Sequence, residues 1–194
     1  MLYRFSFKQK IGLLSILYLL IAVIGYGIVE VSLSLTNTYY LIALNFIQSW
    51  NIILVGFLFF QAFKYFRLPE KYYSRKKIDS SFIYKILGVP LFRLVLINSF
   101  FRHLNKRVYL KGKSKDYVQV FIEETKQSET SHLISMICTL AIQLHYLKHD
   151  DSLYNFLFLT IFSVTFNLYP MLLQRMNRFK MMDKHPDLLN HEKN

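Results

Sequence analysis

Between Lys10 and Glu30 the chain carries no charge, so Ile11–Val29 is a run of 19 uncharged residues. A helix rises ~1.5 Å per residue, and about 20 apolar residues cross a bilayer core of ~30 Å. The run follows Arg4, Lys8 and Lys10, as a secretory leader would. It outlasts a leader's ~7–15-residue apolar stretch, and no small-x-small cleavage site follows, so it reads as an uncleaved helix. Ser32, Ser34, Thr36, Asn37 and Thr38 then form a polar turn. A second block, Leu41–Phe63, and a fourth, Ser152–Gln174, each hold 23 uncharged residues. The third, Leu133–Leu147, has only 15, and it spans if its helix starts earlier, near Tyr117.

These blocks predict an all-α, polytopic membrane protein with about four transmembrane helices, at 11–29, 41–63, 130–147 and 152–174. The whole of 1–194 is expected to be one membrane domain, with a cytoplasmic or interfacial section at 64–129 and a cytoplasmic tail at 175–194. Within that section, residues 82–101 place Phe82, Ile83, Ile86, Leu87, Leu91, Leu94 and Val95 near helical spacing. Gly88 and Pro90 interrupt them, which suits an interfacial amphipathic or re-entrant helix.

Lys and Arg are distributed unevenly along this pattern. The leading tail has three, the first loop none, residues 64–131 fifteen, the loop at 148–152 one, and the tail from Arg175 five. That alternation puts both termini in the cytoplasm. The net charge of +12 lies beside apolar blocks. It therefore points to anionic lipid and not to nucleic acid; Lys106, Arg107, Lys111 and Lys113 are candidates for unselective lipid contact. A lone cysteine, Cys138, excludes an internal disulfide framework and a multi-Cys metal site.

Polar residues inside apolar helices are costly and often functional. At 100° per residue, Thr125, Glu129, His132, Met136, Thr139 and Gln143 share one face of the third span. Glu129 and His132 stand at i and i+3, so the carboxylate can orient the imidazole as a general base, or the two simply pair at the water interface. On the fourth span Thr160, Ser163, Asn167, Gln174 and Arg178 share a face, and Pro170 frees a carbonyl near Phe166. Helix-to-helix polar contacts and a basic membrane anchor are the plain alternatives for this second stripe.

The third span enters from the cytoplasm and the fourth returns to it. If they pack together, Glu129 and His132 meet Asn167 through Arg178 at similar depth. An acid/base pair beside hydrogen-bond donors and guanidinium groups suits acyl transfer. His145 and Asp150 form an H-x4-D spacing, but at the outer end, where a cytosolic acyl donor does not reach. No nucleophile elbow, phosphate loop, zinc-protease motif or Cys/His metal pattern is present. A non-enzymatic transport or protective membrane protein, with the stripes as packing contacts, is the other reading.

The stretch Glu124-Thr125-Lys126-Gln127-Ser128-Glu129-Thr130-Ser131-His132-Leu133-Ile134-Ser135 resembles the E-T-K-x-x-E-x-x-H-x-I-S stretch of the glycosyl-4,4'-diaponeurosporenoate acyltransferase family. Asn167 with Gln174-Arg175-Met176-Asn177-Arg178 is similar to that family's N-x6-Q-R-Y-N-R, and Leu68-Pro69-Glu70-Lys71-Tyr72-Tyr73 to its I-P-D-K-Y-F. Met176 replaces an aromatic, Pro170 is shifted by one place, and two spans stand where the family has a single anchor. The resemblance covers roughly residues 66–180. It implies transfer of a fatty acyl group to a sugar hydroxyl of a membrane-bound carotenoid glycoside. On the acyltransferase reading the donor is expected to be a cytosolic acyl thioester, with another membrane glycolipid as the alternative acceptor. That chemistry needs no metal or organic cofactor. His132 would be the base and Glu129 its orienting partner. Glu124, Thr125, Asn167, Gln174, Arg175, Asn177 and Arg178 would bind substrate, with Asn167 or Gln174 at the oxyanion and the two arginines at donor phosphates or a lipid headgroup.

Overall fold

The uncharged blocks form long helices. The computed structural model describes residues 7–34, 37–62, 68–98, 115–148 and 153–186. Helix α1 is Phe7–Ser34 and α2 is Thr38–Ala62. Asn37 caps α2 by accepting the Tyr39 N–H at 3.0 Å, as expected of Asn at a helix start. Three short helices follow: α3 (Glu70–Tyr73), α4 (Ser81–Ile86) and α5 (Val89–Asn98). Then come α6 (Lys115–Tyr146), α7 (Leu153–Ser163), a π-helical turn (Val164–Leu168) and α8 (Tyr169–Lys184). No strand occurs among the described residues. Residues 99–114, with Lys106, Arg107, Lys111 and Lys113, lie outside them, as do Asp150 and the end of the tail.

Among the described residues, three helices are long and apolar enough to cross a membrane: Ile16–Ser34, Thr38–Gly56 and Leu153–Lys184. The span expected at 130–147 lies in the second half of α6. That helix is not among the three, because Thr130, Ser131, His132, Ser135, Thr139 and Gln143 dilute its apolar side chains. Helix α6 does start early, at Lys115.

The chain divides into two compact units, 1–66 with 131–168, and 67–130 with 169–194. The first unit is polar inside and apolar outside. Its α1 and α2 run antiparallel: the Tyr18 hydroxyl donates to the Val55 carbonyl, and the Asn51 amide to that of Ile21, both at 3.2 Å. Asn45 donates to Asn155 at 2.7 Å, and Asn155 to the Ser32 carbonyl at 3.2 Å, tying α1, α2 and α7 together. The expected stripe residues Gln143 and Thr160 bond each other across α6 and α7. Val29, Ile52, Tyr146 and Leu159 fill the space between, while Ile16, Leu19, Val23, Ile137, Leu140, Leu157 and Ile161 are exposed. This inversion suits apolar surroundings, where helices associate through packing and hydrogen bonds. Gly56 permits close contact of α2 with α6: an added Cβ would lie 2.7 Å from the Ser131 carbonyl oxygen and against the Ser135 hydroxyl.

The second unit holds the short helices. Ser80 caps α4 by accepting the Ile83 N–H at 3.2 Å. Gly88, at φ +71°, turns the chain from α4 into α5, a backbone state that only glycine adopts without strain. Pro90 sits in the first turn of α5, where its missing N–H costs nothing. Within the expected segment at 82–101, the described residues 82–98 thus form two helices that meet at Gly88, and 99–101 lie outside the described residues. Tyr84, Val89, Phe92 and Leu96 pack on Tyr169, Leu172, Leu173 and Met176 of α8.

Candidate active site

In the second unit the buried polar stripe of α6 meets α8. Glu129 is fully buried, with Arg175 Nη1 2.7 Å from its Oε1 and Arg178 Nη2 2.6 Å from its Oε2. Arg175 also grips Asp79 through both oxygens, Nε to Oδ1 at 3.0 Å and Nη2 to Oδ2 at 2.7 Å. Its remaining donors go to the Tyr72 and Ser74 carbonyls at 3.2 and 3.3 Å. One bond from Nε, two from Nη1 and two from Nη2 use every N–H of the guanidinium. Two guanidinium groups against two carboxylates leave the cluster neutral, as burial demands.

Aromatic side chains enclose the cluster. Arg178 lies over the Tyr73 and Phe179 rings, at 5.5 and 5.2 Å from their centres, and Arg175 over the Tyr72 ring at 5.8 Å. Asp79 also accepts the Tyr84 hydroxyl at 2.7 Å and the Lys76 N–H at 2.8 Å. Burial alone would raise its carboxyl, but the bonds from Arg175, Tyr84 and Lys76 outweigh that and hold it below the usual range. Burial, then the Glu129 charge, push the Tyr72 phenol up, so it remains a neutral donor beside that carboxylate. The Thr130 hydroxyl donates to the Lys126 carbonyl at 2.9 Å, which leaves the Tyr73 hydroxyl to donate to Thr130.

The expected residues therefore distribute unevenly. Arg175 is saturated, whereas the buried Nε and Nη1 of Arg178 have no hydrogen-bond partner among the described residues. Thr125 is buried and bonds the Ile122 carbonyl in its own helix at 2.6 Å. Glu124, Gln174 and Asn177 are partly exposed. The arrangement differs from the expected pairing of Glu129 with His132, because both oxygens of Glu129 face guanidinium groups. A full positive charge attracts a buried carboxylate more strongly than a neutral imidazole does.

His132 belongs to the first unit, where Asn167 and the Phe166 carbonyl are its hydrogen-bonding neighbours. The sequence accounts for that carbonyl. Pro170 has no N–H to return to Phe166, and the chain forms a π turn at Val164–Leu168 just before it. Among the described residues, the buried His132 Nδ1 and Asn167 Oδ1 have no hydrogen bond of good geometry. The Phe166 ring joins Phe46, Trp50 and Phe162 in one aromatic group, with centroids 6.1, 5.9 and 6.2 Å from its own.

Sequence reasoning missed Asp79, Tyr84 and the roles of Tyr72 and Tyr73. Both tyrosines stand in the Leu68–Tyr73 motif. Asp79 carries no local signal, since its partner Arg175 is 96 residues away.

The model of the glycosyl-4,4'-diaponeurosporenoate acyltransferase family matches residues 69–184, more than half of the chain. The chain belongs to this family. It is an acyltransferase, and the non-enzymatic reading falls away. The match takes in α3 to α8 and leaves α1 and α2 outside. No curated protein and no solved structure matches the chain.

Proposed function

We propose that this acyltransferase moves a fatty acyl group from a cytosolic acyl thioester onto a sugar hydroxyl of a membrane-embedded carotenoid glycoside or closely related glycolipid. With the second half of α6 as a fourth span beside the three apolar helices, both termini lie in the cytoplasm, in keeping with the Lys and Arg distribution. The observation that carries the reading is the His132 imidazole set against a carbonyl that Pro170 has freed. An N–H directed to the Phe166 carbonyl fixes the tautomer and leaves the Nδ1 lone pair for a proton. His132 takes the proton of the acceptor hydroxyl as its oxygen attacks the thioester carbonyl. The tetrahedral intermediate collapses, the C–S bond breaks, and His132 returns the proton to the departing thiolate. Asn167 is the amide donor for the oxyanion. The ring group of Phe46, Trp50, Phe162 and Phe166 offers an apolar aromatic wall suited to a polyene chain.

In the second unit, Arg175 and Glu129 position the Tyr72–Asp79 segment, and Arg178 keeps Nε and Nη1 as donors for a polar ligand. Gln174 and Asn177 are further polar side chains open to a ligand.

The test is acyl transfer by the reconstituted protein from an acyl thioester to a carotenoid glucoside. His132→Ala is expected to lose roughly 10²–10⁴ of the rate, the usual range for a general base. Wild-type turnover by that variant refutes the mechanism. Lipid and pigment profiles of cells with and without the protein name the acceptor.

A further inference from the structure

On α8 the residues that pack against α4 and α5 recur every three or four positions: Tyr169, Leu172, Leu173 and Met176. Two further steps of the same spacing reach Lys180 and Lys184, both exposed. On α5, exposed Arg93 stands four residues after Val89 and three before Leu96, at the edge of the same seam. Lys85 of α4, also exposed, follows buried Tyr84. The charges acting on Lys180 are those of Arg93, Lys184 and Lys85, all positive. Among the described residues, Asp183 pairs with Arg75 at 2.7 Å, and Asp79 is held by Arg175 and Tyr84.

The surface beside these cations is apolar. Phe82 and Ile86, each 69% exposed, flank Lys85. Helix α5 packs buried Val89 and partly buried Phe92 and Leu96 on one face and exposes Leu91, Leu94 and Val95 on the opposite one. A helix apolar on both faces needs hydrocarbon on its outer side. At ten residues, α5 is about 15 Å long and reaches only part-way through a bilayer core. Cations beside such a face match the boundary between acyl chains and phosphates. A water-soluble phosphate ester satisfies the cations but leaves the apolar face in water.

We infer that Lys85, Arg93, Lys180 and Lys184 bind the phosphate of an anionic phospholipid, with Leu91, Leu94 and Val95 of α5 seated among acyl chains of the same leaflet. The site is separate from acyl transfer and stands whether or not His132 is the base.

The test reconstitutes the full chain in phosphatidylcholine bilayers containing spin-labelled phosphatidylglycerol or spin-labelled phosphatidylcholine. The fraction of each label that the protein immobilises gives their relative association. Wild-type protein should favour phosphatidylglycerol. The variant carrying Lys85→Gln, Arg93→Gln, Lys180→Gln and Lys184→Gln should lose that preference by about five-fold or more, since one basic residue near a lipid phosphate contributes about that factor. Lys180→Gln alone should lose part of it, which keeps the test decisive if the fourfold variant melts early. A Lys71→Gln/Lys148→Gln control should keep it. Undiminished preference in both the fourfold and the Lys180→Gln variants overturns the site. Displacement of the immobilised lipid by inorganic phosphate, but not by chloride of equal ionic strength, overturns its assignment to lipid.

Discussion

Replacing Arg175 with methionine keeps most of the side-chain volume and removes five hydrogen bonds, three of them to buried carboxylates. Bonds to charged groups contribute about 1.5–3 kcal/mol each, but the carboxylates keep other partners. Asp79 retains the Tyr84 hydroxyl and the Lys76 N–H, and Glu129 retains Arg178. Arg175 is 8% exposed at the side chain, and Asp79 and Glu129 are 2% and 0%, so solvent screening is slight. The expected loss is about 4 kcal/mol, within the range of about 3–5 kcal/mol for breaking one partner out of a buried pair. For a chain of this size that is roughly 8–16 °C in Tm. The assay is the thermal loss of helical circular dichroism in detergent. Adding Asp79→Asn should recover part of the loss, because the stranded charge is then gone and the two changes are not additive. A Tm within about 2 °C of wild type, or simple additivity of the pair, refutes the buried network.

Three other outcomes are expected. The Asp79 carboxyl is held below its ordinary value, so its stabilising contribution is present above pH ~4 and declines as pH falls through the lower folded value; in acid melts, Asp79→Asn should remove that component of the decline. Asn155→Leu breaks the bonds to Asn45 and to the Ser32 carbonyl and should lower stability by about 1 kcal/mol, in line with polar pairs between membrane helices, read as a Tm lower by a few degrees. Gly56→Leu drives side-chain atoms into the Ser131 backbone and should cost about 1–3 kcal/mol or more by overpacking, read in the same melts, whereas the exposed change Leu140→Ile should not move them.

Local pattern made the long helices readable. An uncharged run of 19 to 23 residues admits few conformations other than a helix, and α1, α2 and α7 follow directly. Gly88 marked the break between α4 and α5, and Pro170 marked the freed carbonyl that faces His132. The polar face of α6 was visible as a stripe, and Thr125, Glu129, Thr139 and Gln143 are buried on it. What periodicity does not supply is the partner. Spacing offered His132 to Glu129, whereas Coulomb attraction gave it Arg175 and Arg178 from a helix some 46 residues further on. Asp79, in a short polar loop, looks from its neighbours like a solvated residue. Only the tertiary approach of Arg175 makes it part of the cluster.

Asn45 finds Asn155 only after another 110 residues have been made. Until then its amide can rest on the Leu41 carbonyl of its own helix, where it also donates at 2.8 Å. The hairpin of α1 and α2 can thus form early with the Asn45 N–H engaged, yet it lacks its final partner until α7 arrives. The pair acts as an assembly key: apolar flanks allow many rotations of one helix about another, and a single amide contact selects one. A chain truncated before α7 would leave that key unturned, an immature hairpin for membrane quality control to recognise.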